Sequence, residues 1–327
     1  MGLPLSDKIQ VGVQTIHRRT EPATGPWHPT IQDGREIVSL VDRLGYDSIW
    51  VGDHLSFAIP ILDPIIQLAQ AAVVSERLMI GTGVYLLPLR HPAPVAKQIA
   101  TLDLVTGGRL IFGVGVGGEF HTDYDVAGVP MQERGARLTE GIKVLRSLWS
   151  GEKVSNDGRY FPFGELAMTP PPFQTGGPPI WCGGRSDAAL KRAGELADGY
   201  ISYVVTPEMF ADAISKITAA AEATKRNVTS YGTGHLLFAR LDNTYEEALD
   251  KATESLSVRY AMDFRKPAMR YCALGPPADV AARIGEFLTA GVRHLVMDLV
   301  GPYEEREEQI EWFARDVLPL VRAWTPG

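Results

Sequence analysis

Cysteine is nearly absent. Cys182 and Cys272 are the only two in 327 residues, and they stand far apart without metal-ligand spacing. That speaks against a disulfide framework and for a reducing, cytoplasmic setting. Basic residues are not in excess: the net charge is −7 and no basic run interrupts it, so nucleic acid is not the expected partner. No stretch of 18 apolar residues occurs, and nothing is expected to span or enter a membrane. The start, "MGLPLSDKIQVGV", has neither a positive n-region nor a long apolar core, so no signal peptide is expected. Gly2 and Ser6 match a loose myristoylation pattern, but Leu3-Pro4 already reads as irregular chain and the match carries little weight. There is no G-x-S-x-G elbow, no placeable Cys–His pair, no H-x-H at the first strand and no ring of carboxylates at the other strand ends. These absences argue against serine, cysteine and metal-dependent hydrolases, and no metal is expected.

What is present is an ordinary globular composition, 45% hydrophobic and 22% charged, long enough for a large core. Short apolar runs alternate with segments of helical period. The runs are Lys8–Gln14, Asp47–Val51, Arg77–Val84, Arg109–Val116, "PIWCGG", "GYISYV", "GHLLFARL" and Arg293–Val300. Between them, Ile37, Leu40, Val41 and Leu44 recur at helical spacing before Gly45. Helices are also expected near Pro64–Ser75, Ala93–Val105, Gln132–Trp149, Ser186–Ala197, Pro207–Ala223, Tyr245–Ser257, Pro277–Ala290 and Glu304–Arg322. Eight strand units without strict alternation predict parallel strands covered by helices, an α/β chain closed as a (β/α)8 TIM barrel. Residues 150–177, with "NDGRYF" and "TPPPFQTGGPP", break the rhythm as an insertion, and residues 258–276 are less regular. The expectation is one barrel domain over 1–327 with insertions at these two places.

In such a barrel the chemistry sits past the C-terminal ends of the strands. Gln14 ends the first strand, and Asp53-His54 follow the second in "SIWVGDHLSF". Gly81-Thr82-Gly83 end the third, Gly113–Glu119 follow the fourth, and Gly183-Gly184-Arg185-Ser186 follow the fifth. In the last group, glycines open backbone N–H groups to an anion and a helix N-terminus adds partial positive charge. An ordinary strand-to-helix turn with a Ser cap has the same local sequence, and on these residues alone the two readings stand level. "GVGVGG" has G-x-G-x-x-G spacing at Gly113, Gly115 and Gly118. No helix is expected directly after it, since Glu119–Pro130 intervenes, so it is not read as a dinucleotide fingerprint. His121, Asp123 and Asp125 in that segment are read as solvated loop residues.

Several motifs in order resemble the luciferase-like flavin and deazaflavin oxidoreductases. They are "GYDSIWVGDHL", "LDPIIQLAQAA", "RLMIGTGVYLLPLRHPAPVAKQIATLDLVTGGRLIFGVGVG", "GVPMQERGARLTEGIKVLRSLWSGE" and "PPIWCGGRSDAALKRAGELADGY", spread over roughly Ile9–Tyr203. The resemblance implies a barrel and a flavin-type ring at its mouth. The ring's phosphate would be held by Gly183, Gly184, Arg185 and Ser186, and the ring would press on a cis peptide at Gly83-Val84. It implies a cofactor site of Asp53, Gly81, Thr82, Gly83, Val84, Gly115, Gly117 and the Gly183–Ser186 group. It places His54 at the reaction centre as acid or base, a role suited to an imidazole at neutral pH. Asp53 would orient that ring or bond the heterocycle, and Glu119 is a further candidate acid whose register is shifted by an extra glycine.

The expected function is a coenzyme F420-dependent oxidoreductase moving a hydride to or from a small apolar organic substrate. The alternatives are a reduced-FMN monooxygenase on the same fold and a flavin-binding protein without turnover. Arg185, Lys97, Arg90 and His91 are candidates to receive the carboxylates of the F420 tail. Trp27, Phe57, Phe120 and Tyr85 suggest an apolar substrate pocket. The family commonly dimerises, so a homodimer or higher homo-oligomer is expected.

Overall fold

A computed structural model describes residues 3, 6–14, 29–118, 120–226, 228 and 230–325. Glu119 and Trp27, both singled out in the sequence, lie outside these residues, as do Gly2 and most of the Pro-rich loop that precedes the first helix.

The strands in chain order are β1 (Gln10–Gln14), β2 (Ser48–Val51), β3 (Met79–Thr82), β4 (Leu110–Val114), β5 (Lys153–Asn156), β6 (Phe163–Ala167), β7 (Ile180–Gly183), β8 (Gly199–Tyr203), β9 (Gly232–Leu241), β10 (Ala273–Gly275) and β11 (His294–Leu299). Parallel pairing runs β1-β2-β3-β4-β7-β8-β9-β11 and returns to β1, closing the eight-stranded barrel. All four residues of β2 and all of β4 are buried, which is why these strands read as continuous apolar runs.

The two irregular segments have structure of their own. Within 150–177, β5 and β6 form an antiparallel hairpin outside the barrel. Within 258–276 lie a short helix, Arg265–Tyr271, and β10, which pairs with Ala239–Leu241 of β9, beyond the stretch of β9 that pairs with β8. The helix Tyr245–Tyr260 runs three residues further than its periodicity suggests. The segment after Gly118, expected to be loop, holds a helix, His121–Ala127, ended by Gly128 at φ 64°.

The barrel interior is plugged by rings. Trp50 and Trp181 lie 5.6 Å apart, and His294 stands edge-on to both at 5.2 and 5.4 Å. Ser48 Oγ bridges them, accepting from Trp50 Nε1 at 2.9 Å and meeting His294 Nε2 at 2.7 Å. Two such indoles bury about 200 Å² each, roughly 5 kcal/mol apiece. Gly81 is part of this plug: a Cβ there would sit 2.5 Å from the Trp50 ring, so β3 must be bare at that point.

Candidate active site

Above the plug, the strand ends enclose a cleft of about 390 Å³. It gathers Asp53, His54, Gly83, Val84, Gly115, Gly117, Gly183, Gly184, Arg185 and Ser186, which the sequence scatters over more than a hundred positions. Gly81 and Thr82 do not line it. Gly81 packs on Trp50 below, and Thr82 is buried with its hydroxyl donating to Gly113 O at 2.7 Å. Gly83-Val84 is a non-proline cis peptide, as the resemblance implies. Val84 projects between two strand ends where only glycine fits well. A Cβ at Gly115 would lie 2.5 Å from Val84 Cγ2, and one at Gly183 3.1 Å from Val84 Cγ1.

His54 is held on three sides. Its Nδ1 lies 2.8 Å from Asp123 Oδ2, Phe57 stacks on it at 4.1 Å and 10°, and Phe120 packs edge-on at 5.7 Å. Asp123 is buried, and its Oδ1 accepts from the amides of Leu55 at 2.7 Å and Ser56 at 2.8 Å. Burial alone would raise this carboxyl. The hydrogen bonds from His54 and the two amides outweigh burial and hold it below the ordinary carboxylate range. An anionic Asp123 therefore takes the proton of Nδ1 as a donated hydrogen bond. Nε2, with no partner among the described residues, becomes the working nitrogen of a side chain that lines the cleft. The reading of Asp123 as a solvated loop residue is thus corrected. The helix His121–Ala127 packs Tyr124 against Leu86 and Leu89, and this carries Asp123 inward.

Asp53 has a different task from its neighbour. Its carboxylate is buried, grips Arg90 through both oxygens, with 2.9 Å from Nη2 to Oδ1, and accepts from Leu86 N at 2.8 Å. Burial pushes this carboxyl up, against the pull of Arg90, the Leu86 amide and His54. The pair ties the end of β2 to the segment after the cis peptide. Arg90 is accordingly committed to Asp53 rather than presented to a cofactor tail. Lys97 donates to Thr169 O and His91 caps its helix by accepting from Ala93 N at 3.2 Å, so neither lies free at the mouth. Tyr85 is buried against Phe112 and is not part of the lining.

At the opposite side, Gly184 (φ 124°) leads into the helix Asp187–Leu196, capped by Ser186 Oγ accepting from Ala189 N at 3.3 Å. Arg185 is exposed, donates to Val204 O at 3.2 Å and lies over the Tyr203 ring. Among the described lining residues it is the one Lys or Arg. Much of the remaining wall is apolar and aromatic, with Leu236, Phe238, Ile201, Tyr203, Tyr260 and Phe57, interrupted by Gln14, Ser202 and Asp298.

One lining carboxylate escaped the sequence reading. Asp298, in β11, is buried and paired with the equally buried Arg259, 2.8 Å from Nη1 to Oδ2. The signal was there, a lone acid inside the apolar run "HLVMDL", but its partner arrives from the helix Tyr245–Tyr260 with no local pattern to announce it.

A parallel barrel gathers at its mouth the Asp123–His54 pair, the Gly83-Val84 cis peptide and the Gly183–Ser186 turn, at the end of the barrel where such folds carry their chemistry. The profile of the luciferase-like monooxygenase family matches residues 9–294, and the chain belongs to that family. Its curated relatives include an F420-dependent glucose-6-phosphate dehydrogenase of Amycolatopsis mediterranei (strain U-32), 30% identical over 317 residues covering 88% of this chain and 94% of that protein. A phthiodiolone/phenolphthiodiolone dimycocerosates ketoreductase of Mycobacterium bovis (strain BCG / Pasteur 1173P2) is 28% identical, covering 90% of this chain and 80% of that protein. Among solved structures, the monooxygenase RslO1 from Streptomyces bottropensis superposes with a TM-score of 0.80 at 25% identity, covering 95% of this chain and 99% of the other. The chain is therefore an oxidoreductase of this family, with F420-dependent enzymes among its relatives.

The residues present fit a flavin-type ring with a phosphate arm. Val84 between bare Gly115 and Gly183 makes a flat platform, and the Gly183–Ser186 turn offers backbone N–H groups, a helix N-terminus and the Arg185 charge to an anion.

Proposed function

We propose that this protein is a coenzyme F420-dependent oxidoreductase that interconverts a small, largely apolar alcohol and its carbonyl product. The observation that carries the reading is the pairing of part-buried His54 with buried Asp123, which dedicates Nδ1 to the protein and leaves Nε2 for the substrate. Coenzyme F420, when bound, accepts or gives up the hydride. His54 takes the hydroxyl proton at Nε2 in oxidation and returns it to the carbonyl oxygen in reduction. Asp123 stabilises the imidazolium that results. Phe57, Phe120 and Tyr260 exclude water from one side of the imidazole and supply apolar contact. Gly184, Arg185 and Ser186 would hold the cofactor phosphate, and Val84 would support the ring.

An apolar substrate is favoured over a sugar phosphate by the charge of the wall. A second phosphate calls for its own cations, and among the described lining residues Arg185 is the only Lys or Arg, placed at the anion loop. The likeness to a ketoreductase supports a carbonyl as the oxidised form of the substrate. Reduced-FMN monooxygenation is the second reading, supported by the likeness to RslO1. A flavin-binding protein without turnover would have no use for a buried acid orienting an imidazole.

The test is His54→Ala, assayed with F420 against a panel of secondary alcohols and ketones with glucose 6-phosphate as comparison. Cofactor affinity should stay nearly intact while turnover falls roughly 10²–10⁴-fold. A variant with normal turnover would make His54 a bystander, and glucose 6-phosphate as the preferred substrate would reject the apolar assignment.

A further inference from the structure

One buried polar atom of the cleft has no hydrogen-bond partner among the described residues. Gln14 ends β1, is 3% exposed, lines the cleft, and its Oε1 is buried with no hydrogen bond among the described residues. The other buried polar side chains there are engaged: Asp53 by Arg90, Asp298 by Arg259 and Ser202 by His235. A buried carbonyl without a donor is costly, so its retention calls for an explanation.

The position supplies one. The Gln14 amide lies beside the ends of the next two strands. A Cβ added at Gly83 would be 3.3 Å from Oε1, and one added at Gly52 3.5 Å from Nε2. Oε1 is therefore next to Gly83 of the platform, and Nε2 next to Gly52 at the end of β2. The barrel order places β1 four strands from β7 in either direction, so Gln14 is diametrically across the mouth from the Gly183–Ser186 anion loop. A ligand anchored there by its phosphate and crossing over Val84 meets Gln14 with its far edge. In a flavin or deazaflavin that ring carries a pyrimidinedione, whose edge alternates carbonyl, N–H and carbonyl. A carboxamide is complementary to that edge: Nε2–H donates to a ring carbonyl while Oε1 accepts from the ring N–H.

We infer that Gln14 binds the imide edge of the cofactor ring through this paired hydrogen bond. The inference rests on the cofactor reading above and deepens it: the ring's polar edge points toward β1, opposite its phosphate.

Wild type, Gln14→Leu and Gln14→Glu are titrated with oxidised F420 and with the corresponding deazaflavin phosphate before and after N-methylation of its imide. Gln14→Leu should bind F420 about tenfold more weakly and shift the visible band of the bound ring, with substrate KM unchanged. Methylation should cost wild type a similar factor and cost Gln14→Leu nothing further. The ligand-free Leu variant should melt no lower than wild type, since the buried Oε1 it removes has no partner among the described residues; a purely structural glutamine would lower that melting point and leave the affinities alone. Equal F420 affinity in wild type and Gln14→Leu, a methylation penalty that persists in Gln14→Leu, or a change confined to substrate KM overturns the inference. Should wild type bind FMN and not F420, the F420 reading fails by itself, and the same comparison with FMN and its N-methylated form decides Gln14, because FMN has the same imide edge. Binding of neither ring defeats both.

Discussion

Replacing Asp123 by Asn changes one atom at the site and reverses the direction of a hydrogen bond. The wild-type Oδ2 accepts from His54 Nδ1 at 2.8 Å, while Oδ1 accepts from the amides of Leu55 and Ser56 at 2.7 and 2.8 Å. Asn keeps Oδ1 where those two amides need it, so its NH₂ must face Nδ1 and donate. The imidazole then carries its proton on Nε2, and the nitrogen facing the substrate is no longer a base in alcohol oxidation. Loss of a hydrogen bond to a charged group amounts to about 1.5–3 kcal/mol, roughly 10–100-fold at ~1.4 kcal/mol per tenfold. The wrong tautomer adds the loss of general-base catalysis, on the order of 10²-fold or more. Single-turnover loss of the oxidised deazaflavin absorbance, measured by stopped flow at neutral pH, should therefore slow at least about 100-fold. Cofactor affinity should stay within about threefold, because no cofactor contact is removed. The carboxyl of Asp123 is held below its ordinary value of 3.8. Its stabilising contribution is thus complete above that value and fades only as pH falls through the depressed one, so the stability difference between wild type and variant should be flat across neutral pH. An Asp123→Asn enzyme turning over within twofold of wild type, with His54→Ala inactive, would refute the idea that the dyad sets the tautomer.

Three further outcomes follow from other parts of the structure. Arg90→Met should destabilise by about 3 kcal/mol or more in urea unfolding, because it strands the buried Asp53 carboxylate, and adding Asp53→Asn should recover part of the loss. Gly115→Ala, whose new methyl would meet Val84 at 2.5 Å, should displace the platform and weaken cofactor binding about tenfold or more in a fluorescence titration, with the fold retained by circular dichroism. Burial lowers His235 to about 3 and His294 to about 4 from an ordinary 6.5. The unfolded chain binds these protons first, so stability is full above pH 6.5 and drains as pH falls from there toward 4 and then 3. Unfolding free energies that fail to drop over that acid range would contradict the buried, neutral assignment.

The barrel was legible because each strand is a short buried run bounded by turns. "RLIFGVGV" was expected over Arg109–Val116 and is β4 over Leu110–Val114. β10 was not legible, since three residues carry no period and its place depends on the upper end of β9 being free to pair. The site divides the same way. His54 and the Gly183–Ser186 turn sit at strand ends, where topology alone directs attention, Val84 was implied by the family resemblance, and they do converge. Asp123 failed as a local reading because its burial is decided by Tyr124 packing on Leu86 and Leu89, and its partner lies 69 residues away. Arg90 and Asp298 failed for the same reason. A charge pair made across the fold leaves no mark in either segment. Gly81 and Thr82 lie one step too deep, which strand counting with errors of a residue or two does not resolve.

Anaerobic fluorescence titration with F420 and FMN in parallel tests the central claim most directly, because Trp50 lies against Gly83 at the base of the platform and reports on a ring seated there. The account predicts saturable quenching by F420 and little response to FMN at equal concentration. Tight FMN binding with no response to F420 would contradict it.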